Sequence, residues 1–248
     1  MIKVSVITVC YNSSKTIRKT FDSVLHQTYR NVEYLVIDGA STDGTVDIIK
    51  EYEPLFQGRM KWISENDRGI YDAMNKGIRM ATGELLGILN SDDYYEPDAA
   101  ETMVDAMTKD KYQILYGAMR TWKNGEEESV GISSHKFLRD RMINHPACFV
   151  TKAVYDDFGY YDTQYASVAD YDFMLRAYEC KEIYFKPVYK IISNFALGGM
   201  CSTGQAYLEL VELQHNRGLL SNKEYKKIIR KDKIYRLYKK IRKVMRIC

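Results

Sequence analysis

Apolar positions along this chain switch repeatedly between two spacings. Lys3-Val-Ser-Val-Ile-Thr-Val-Cys10 is a run of mostly β-branched residues, too apolar on both faces for a half-exposed strand. Ile17, Phe21, Val24 and Leu25 then recur at helical spacing, which predicts a helix to about Gln27. Val32 to Ile37 and Met60 to Ser64 read as further strands, with a helical face of Val46, Ile49 and Tyr52 between them. Gly69 to Met80 reads as a third helix, and Leu86 to Asn90, after Gly83, as a fourth strand. This βαβαβαβ order predicts an α/β fold with a doubly wound, mostly parallel sheet.

Beyond Asp110 the alternation loosens. Gln113 to Trp122 is strand-like, Asn124-Gly125 is a hairpin signal, and Glu126 to Ser134 is the candidate return strand. A short strand over Ala147 to Val150, a short helix over Ala153 to Phe158 and a helix from Val168 to Tyr178 follow. Ile183 to Phe195 reads as strand, Gly198-Gly199 breaks it, and Gln205 to Asn216 reads as helix.

The polar residues add a second pattern. Tyr11-Asn12, Asp38, Asn66-Asp67-Arg68 and Asp92-Asp93 each follow the carboxyl end of a predicted strand, the edge where open α/β sheets bind ligands. Adjacent carboxylates there suit a hard cation such as Mg²⁺ or Mn²⁺, which takes oxygen ligands and shares them with substrate phosphates. The plainer reading is that Asp92 and Asp93 cap a helix beginning near Pro97. For Asp38 the choice lies between contact with a nucleoside and an Asx-turn closing the loop to Gly39. Neither G-x-G-x-x-G nor G-x-x-x-x-G-K-[ST] follows the first strand, which disfavours a dinucleotide dehydrogenase and a P-loop phosphotransferase.

Charge separates the chain in two. Residues 221–248 carry a net charge of +10 and the preceding 220 residues −7. The expected organisation is one large domain over 1–220, with halves at 1–110 and 111–220, followed by a basic helix over 221–248. In that tail Ile234, Leu237, Tyr238, Ile241, Val244 and Met245 fall on one helical stripe among Lys and Arg. Such a helix suits an anionic membrane surface, the alternative being docking on its own domain; without a reader motif, nucleic acid is not an expected partner. Five cysteines without C-x-x-C spacing suggest neither a disulfide framework nor a zinc cluster. Because Lys3 leads directly into a strand pattern and no run reaches membrane-span length, a cytoplasmic protein on the inner face of the cell membrane is expected.

Four segments together resemble the family 2 glycosyltransferases of GT-A fold: Val6-Ile-Thr-Val-Cys-Tyr-Asn12, Val36-Ile-Asp-Gly-Ala-Ser-Thr-Asp-Gly-Thr45, Gly69-Ile-Tyr-Asp-Ala-Met-Asn-Lys-Gly77 and Leu89-Asn-Ser-Asp-Asp93. The likeness covers about the first 100 residues and reappears at Ala169-Asp170-Tyr171-Asp172; it implies that 1–220 is a catalytic domain, with 1–110 its nucleotide-sugar-binding half and 111–220 its acceptor-side half. It implies an inverting enzyme that moves a sugar from a nucleotide-diphosphate donor, a UDP-sugar favoured, to a glycan or lipid-linked acceptor in polysaccharide, lipopolysaccharide or capsule synthesis. By resemblance, Thr8, Tyr11 and Asp38 hold the nucleoside, Asp67 and Asn75 lie beside base and ribose, and Arg68 meets the diphosphate. Asp93 binds Mn²⁺ or Mg²⁺ directly, and Asp92 meets the ribose, or the metal through water. Asp170 is the base, although Ala169 stands where the family has Glu and Met74 where it often has Arg; Asp172 is the rival. His145 resembles an acceptor-side histidine, and Gly198, Gly199 and Ser202 a loop that closes over the donor. The other readings are a sugar-phosphate nucleotidyltransferase and a non-catalytic carbohydrate- or partner-binding module.

Overall fold

The computed structural model describes residues 1–197 and 204–245, so Gly198, Gly199 and Ser202 lie outside the described residues. The chain divides into two compact units, Met1–Gln164 with Ala169–Gly199, and Tyr165–Val168 with Met200–Cys248. In the first unit β1 (Val4–Cys10), α1 (Ile17–Leu25), β2 (Val32–Asp38), α2 (Thr45–Tyr52), β3 (Met60–Ser64), α3 (Ile70–Met80) and β4 (Leu85–Asn90) follow the predicted order. They are succeeded by β5 (Tyr94–Tyr95), α4 (Ala99–Ala106), β6 (Gln113–Lys123), β7 (Glu126–Gly131), β8 (Cys148–Thr151), α5 (Lys152–Phe158), α6 (Ala169–Glu179) and β9 (Tyr184–Ala196).

Among the described residues one mixed sheet runs β3-β2-β1-β4-β8-β6-β9-β5, with β7 paired to β6. The first four strands are parallel. β8 joins them to β6 by antiparallel ladders on both its sides, and β6 then pairs with β9 in parallel. Every residue of β1 and β2 is buried, as strands covered on both faces require. Val6, Tyr34 and Val36 share one core with Phe21 and Val24 of α1 and with Ile48 and Ile49 of α2. On the opposite face α3 lies so close that a Cβ at Gly77 would collide with Ile7. Helices therefore cover both faces, and the N-terminal half is doubly wound.

Three local details depart from the sequence expectation. The buried face of α2 is Thr45, Ile48, Ile49 and Tyr52, with Val46 only half-buried, because the helix starts one residue before Val46 and turns its face accordingly. The helix expected near Pro97 starts at Ala99 with Asp98 at its N-cap, so neither Asp92 nor Asp93 is the capping residue. Between them lies β5, a strand of two residues paired with Asn194 and Ser193 of β9.

The second unit contains α7 (Gly204–Asn216) and α8 (Asn222–Met245). Ser221 and Glu224 form a capping box at the start of α8: the Glu224 N–H donates to Ser221 Oγ at 3.3 Å and its carboxylate accepts the Ser221 N–H at 3.0 Å. Among the described residues no helix is long and apolar enough to cross a membrane.

Candidate active site

Strand register brings the polar strand ends together. Cys10 lies beside Asp38, Asp38 beside Ser64, and Val9 beside Asn90, so the loops after β1, β2, β3 and β4 leave the sheet at one edge.

Hydrogen bonds knit the first two loops into a fixed floor. The Asn12 N–H donates to Ser41 Oγ at 2.7 Å, and Asn12 Oδ1 accepts the Thr42 N–H at 2.9 Å. Ser41 in turn donates both its N–H and its hydroxyl to Asp38. Asn12 and Ala40 sit in the left-handed region, with φ of 50° and 60°, a conformation this lattice has to enforce. Asp38 is fully buried, and its second oxygen also accepts the Ser64 hydroxyl at 2.6 Å, so this carboxylate is committed to closing the loop. Thr8 is also fully buried, its hydroxyl accepting that of Tyr34 at 2.9 Å. Above this floor Tyr11 is 67% exposed. A Cβ added to Gly39 would stand 2.7 Å from the Asp67 carboxylate and 3.4 Å from the Tyr11 ring, so the three residues lie side by side at this sheet edge. The other Asp67 oxygen accepts the Gly69 N–H, which fixes the start of α3.

The adjacent carboxylates are not equivalent. Asp93 has no exposed surface; Oδ1 accepts the Ala196 N–H at 3.1 Å and Oδ2 the Asn90 amide at 3.3 Å. Burial, and next the charge of Asp92, push its pKa up to about 8. Asp92 is only partly buried, and burial raises its pKa too. Asn90 Oδ1 beside them is buried, and among the described residues no donor reaches it. This donor set is all hard oxygen, and among the described residues no group of three His, Cys, Asp or Glu side chains gathers to hold a metal. It fits a Mg²⁺- or Mn²⁺-type ion that takes most of its ligands from a diphosphate.

The second half contributes a separate cluster. Asp170 stands in the first turn of α6, its Oδ1 accepting the Tyr71 hydroxyl at 2.8 Å and the Tyr171 N–H at 2.9 Å. Asp172, one residue beyond Tyr171, is buried and paired with Arg176 Nε at 2.9 Å. The same guanidinium donates to the carbonyls of Phe158 and Tyr160, so Asp172 belongs to a structural clasp. His145 is buried, with Nε2 2.7 Å from the Tyr161 hydroxyl; burial lowers its pKa against an opposing pull from Asp170.

Two more of the sequence-predicted contacts are engaged within the protein. Asn75 accepts the Tyr161 N–H at 3.0 Å and donates to the Tyr161 carbonyl at 2.8 Å, which uses both ends of its amide. Arg68 lies beside Asp72, its N–H donating to that carboxylate at 3.1 Å while the guanidinium remains mostly exposed. Sequence reasoning missed Ser41, Ser64, Tyr71 and Tyr161. A serine three residues after Asp38 was the available sign of an Asx-type closure, but nothing local marks Tyr71 as a partner of a residue 99 positions away.

Residues 5–178 match the family model described as Glycosyl transferase family 2. The chain belongs to this family. It is 36% identical over 187 residues to an uncharacterised glycosyltransferase of Mycobacterium tuberculosis, a match covering 70% of this chain and 68% of that one. It is 27% identical over 202 residues to a PGL/p-HBAD biosynthesis glycosyltransferase of the same organism, covering 80% and 79% respectively. Among solved structures, S. aureus TarS 1–349 in complex with UDP-GlcNAc superposes with a TM-score of 0.69 at 21% identity, over 89% of this chain and 68% of that one. The chain spans 40% of the longer TarS structure. A Pyrobaculum calidifontis mannosyltransferase in complex with GDP-Man and Mn²⁺ gives 0.62 at 18% identity, over 85% and 61%. The family 2 glycosyltransferase described here thus has the GT-A fold of these structures.

Proposed function

We propose that this glycosyltransferase moves a sugar, with inversion, from a nucleotide-diphosphate sugar to an acceptor hydroxyl. The observation that carries this reading is the alignment of four polar strand ends on one sheet edge, with Asp92 and Asp93 at the end of β4. Family membership over residues 5–178 supports sugar transfer over nucleotidyl transfer or simple binding. A uridine donor is favoured because TarS has been solved with UDP-GlcNAc and with UDP.

In this reading Tyr11 and Asp67 receive the base, Arg68 approaches the diphosphate, and Thr8, Asp38 and Asn75 shape the site from beneath. The complete burial of Asp93 favours Asp92 over Asp93 as the carboxylate that meets Mn²⁺ or Mg²⁺, with Asp93 held against Ala196 and Asn90. A divalent ion held there would offset the charge that grows on the leaving diphosphate. Asp170 takes the acceptor's proton while the acceptor oxygen bonds to the anomeric carbon. The bond to the diphosphate breaks with its electron pair going to the leaving group. His145 supports the acceptor side through Tyr161. The acceptor is a glycan or lipid-linked sugar in surface-polysaccharide, lipopolysaccharide or capsule synthesis, reached from the cytoplasmic membrane face, with the basic helix α8 resting on anionic lipid. The exposed side chains of Ile234 and Tyr235 support that last role.

A panel of UDP-, GDP-, dTDP- and CMP-sugars, screened for binding and slow hydrolysis with Mn²⁺ and with Mg²⁺, tests the reading. Metal-dependent binding of a UDP-sugar is expected; binding of none of the panel would overturn it.

A further inference from the structure

The Asp170 carboxylate is clamped on one oxygen and open on the other. Oδ1 accepts two hydrogen bonds, from the Tyr71 hydroxyl at 2.8 Å and the Tyr171 N–H at 2.9 Å. Among the described residues no donor reaches Oδ2. We propose that Tyr71 is a positioning residue for Asp170, its hydroxyl pinning Oδ1 so that Oδ2 is the atom presented to the acceptor's proton. This rests on reading Asp170 as the base.

The surroundings of Tyr71 suit a fixed donor. Its side chain is almost fully buried, and its ring packs 5.5 Å from that of Tyr161. Asn75, one helical turn along the same face of α3, accepts the N–H of Tyr161 and donates to its carbonyl. Tyr161 is held further by His145, at 2.7 Å, and by the Tyr155 hydroxyl, at 3.1 Å. Arg176 secures the preceding carbonyls of Phe158 and Tyr160. Helix α3 is thus fastened to the acceptor half at two points, Tyr71 and Asn75, and the phenol has little freedom to turn away. A general base acts only when the accepting lone pair is aimed at the proton, so a clamp that leaves one oxygen free serves orientation directly.

A clamp of this kind acts on turnover and leaves donor binding untouched, so the two can be read separately. The other titratable groups that feel the Asp170 charge are His145 before β8, Cys148 on β8 and Tyr161 after α5. Burial favours the neutral form of each, so none competes as a counter-charge.

The full chain, Tyr71→Phe and Asp170→Asn are compared in UDP binding by calorimetry, in slow hydrolysis of the UDP-sugar that binds, and in ¹³C NMR with the label at Tyr Cζ. In Tyr71→Phe turnover is expected to fall about tenfold, the size of one lost hydrogen bond to a charged group, with UDP affinity unchanged. In the unsubstituted protein one Tyr Cζ resonance is expected to report the bond to the carboxylate, and to shift in Asp170→Asn. Unchanged turnover in folded Tyr71→Phe, or a Tyr Cζ spectrum indifferent to Asp170→Asn, overturns the proposal. The second comparison needs no Tyr71 variant and so survives a folding failure. If the Tyr Cζ resonance responds while Asp170→Asn keeps normal turnover, the base assignment has failed and the clamp has not.

Discussion

Asp93 and Ala196 are joined by a 3.1 Å hydrogen bond that ties the turn after β4 to the end of β9, 103 residues away. The Thr20 hydroxyl donates to the Asp93 carbonyl at 2.7 Å, so α1 is drawn into the same junction. A carboxyl used in this way holds the site together and is costly to ionise.

That cost sets a pH dependence. The folded pKa of Asp93, about 8, lies above its unfolded value, so the folded state holds the extra proton and stability falls as pH rises from about 4 to 8. Asp93→Asn removes the titration while keeping an acceptor for the Ala196 N–H. In urea titrations with EDTA present, the variant is expected to overtake the parent progressively across that range, by on the order of a few kcal/mol at pH 8. A constant difference between the two proteins would contradict the burial argument.

Asp92→Asn is expected to act on ligand rather than fold. Calorimetric titration of UDP with Mn²⁺ should show at least a tenfold loss of affinity, about 1.4 kcal/mol, with an unchanged urea midpoint. Metal-dependent affinity equal to that of the parent would return the ligand role to Asp93.

At the opposite sheet edge Glu33 is buried among Lys3, Ser5 and Thr82. Burial alone would raise its pKa, but the hydrogen bonds from those three residues outweigh it and hold the value near 2. Its stabilisation is therefore fully present above about pH 4.5 and lost as pH falls toward 2. Glu33→Gln is expected to flatten the acid limb of a stability profile by about 3 kcal/mol. An acid limb identical to the parent's would remove Glu33 from the account.

The N-terminal fold was legible because runs of β-branched residues mark strands buried on both faces, and Ile17, Phe21 and Val24 mark the helix between two of them. β5 was not, since two tyrosines become a strand only when Ser193 and Asn194 arrive beside them. The resemblance separates Asp92 from Asp93 by role, but nothing in the letters shows the buried junction of Asp93 with Ala196. Asn75 read as a ligand contact because a polar residue in a motif offers no sign that a distant backbone, at Tyr161, uses both its amide atoms. Asp170 and Asp172 stay rivals in the sequence, because nothing there shows Arg176 paired with the second.

The basic helix α8 gives a separable expectation. Deleting residues 223–248 should abolish co-sedimentation with vesicles containing phosphatidylglycerol, because each basic group near an anionic surface contributes about 1 kcal/mol. Turnover on a soluble acceptor should persist. Undiminished sedimentation would refute the membrane role.

The role of Asp170 as base of a glycosyl transfer is tested by steady-state transfer in Asp170→Asn and Asp172→Asn, measured beside UDP binding. Asp170→Asn is expected to bind UDP normally while turnover falls by about 10²–10⁴-fold, and Asp172→Asn to lose stability but keep most of its turnover per folded molecule. Near-normal turnover in Asp170→Asn would contradict it.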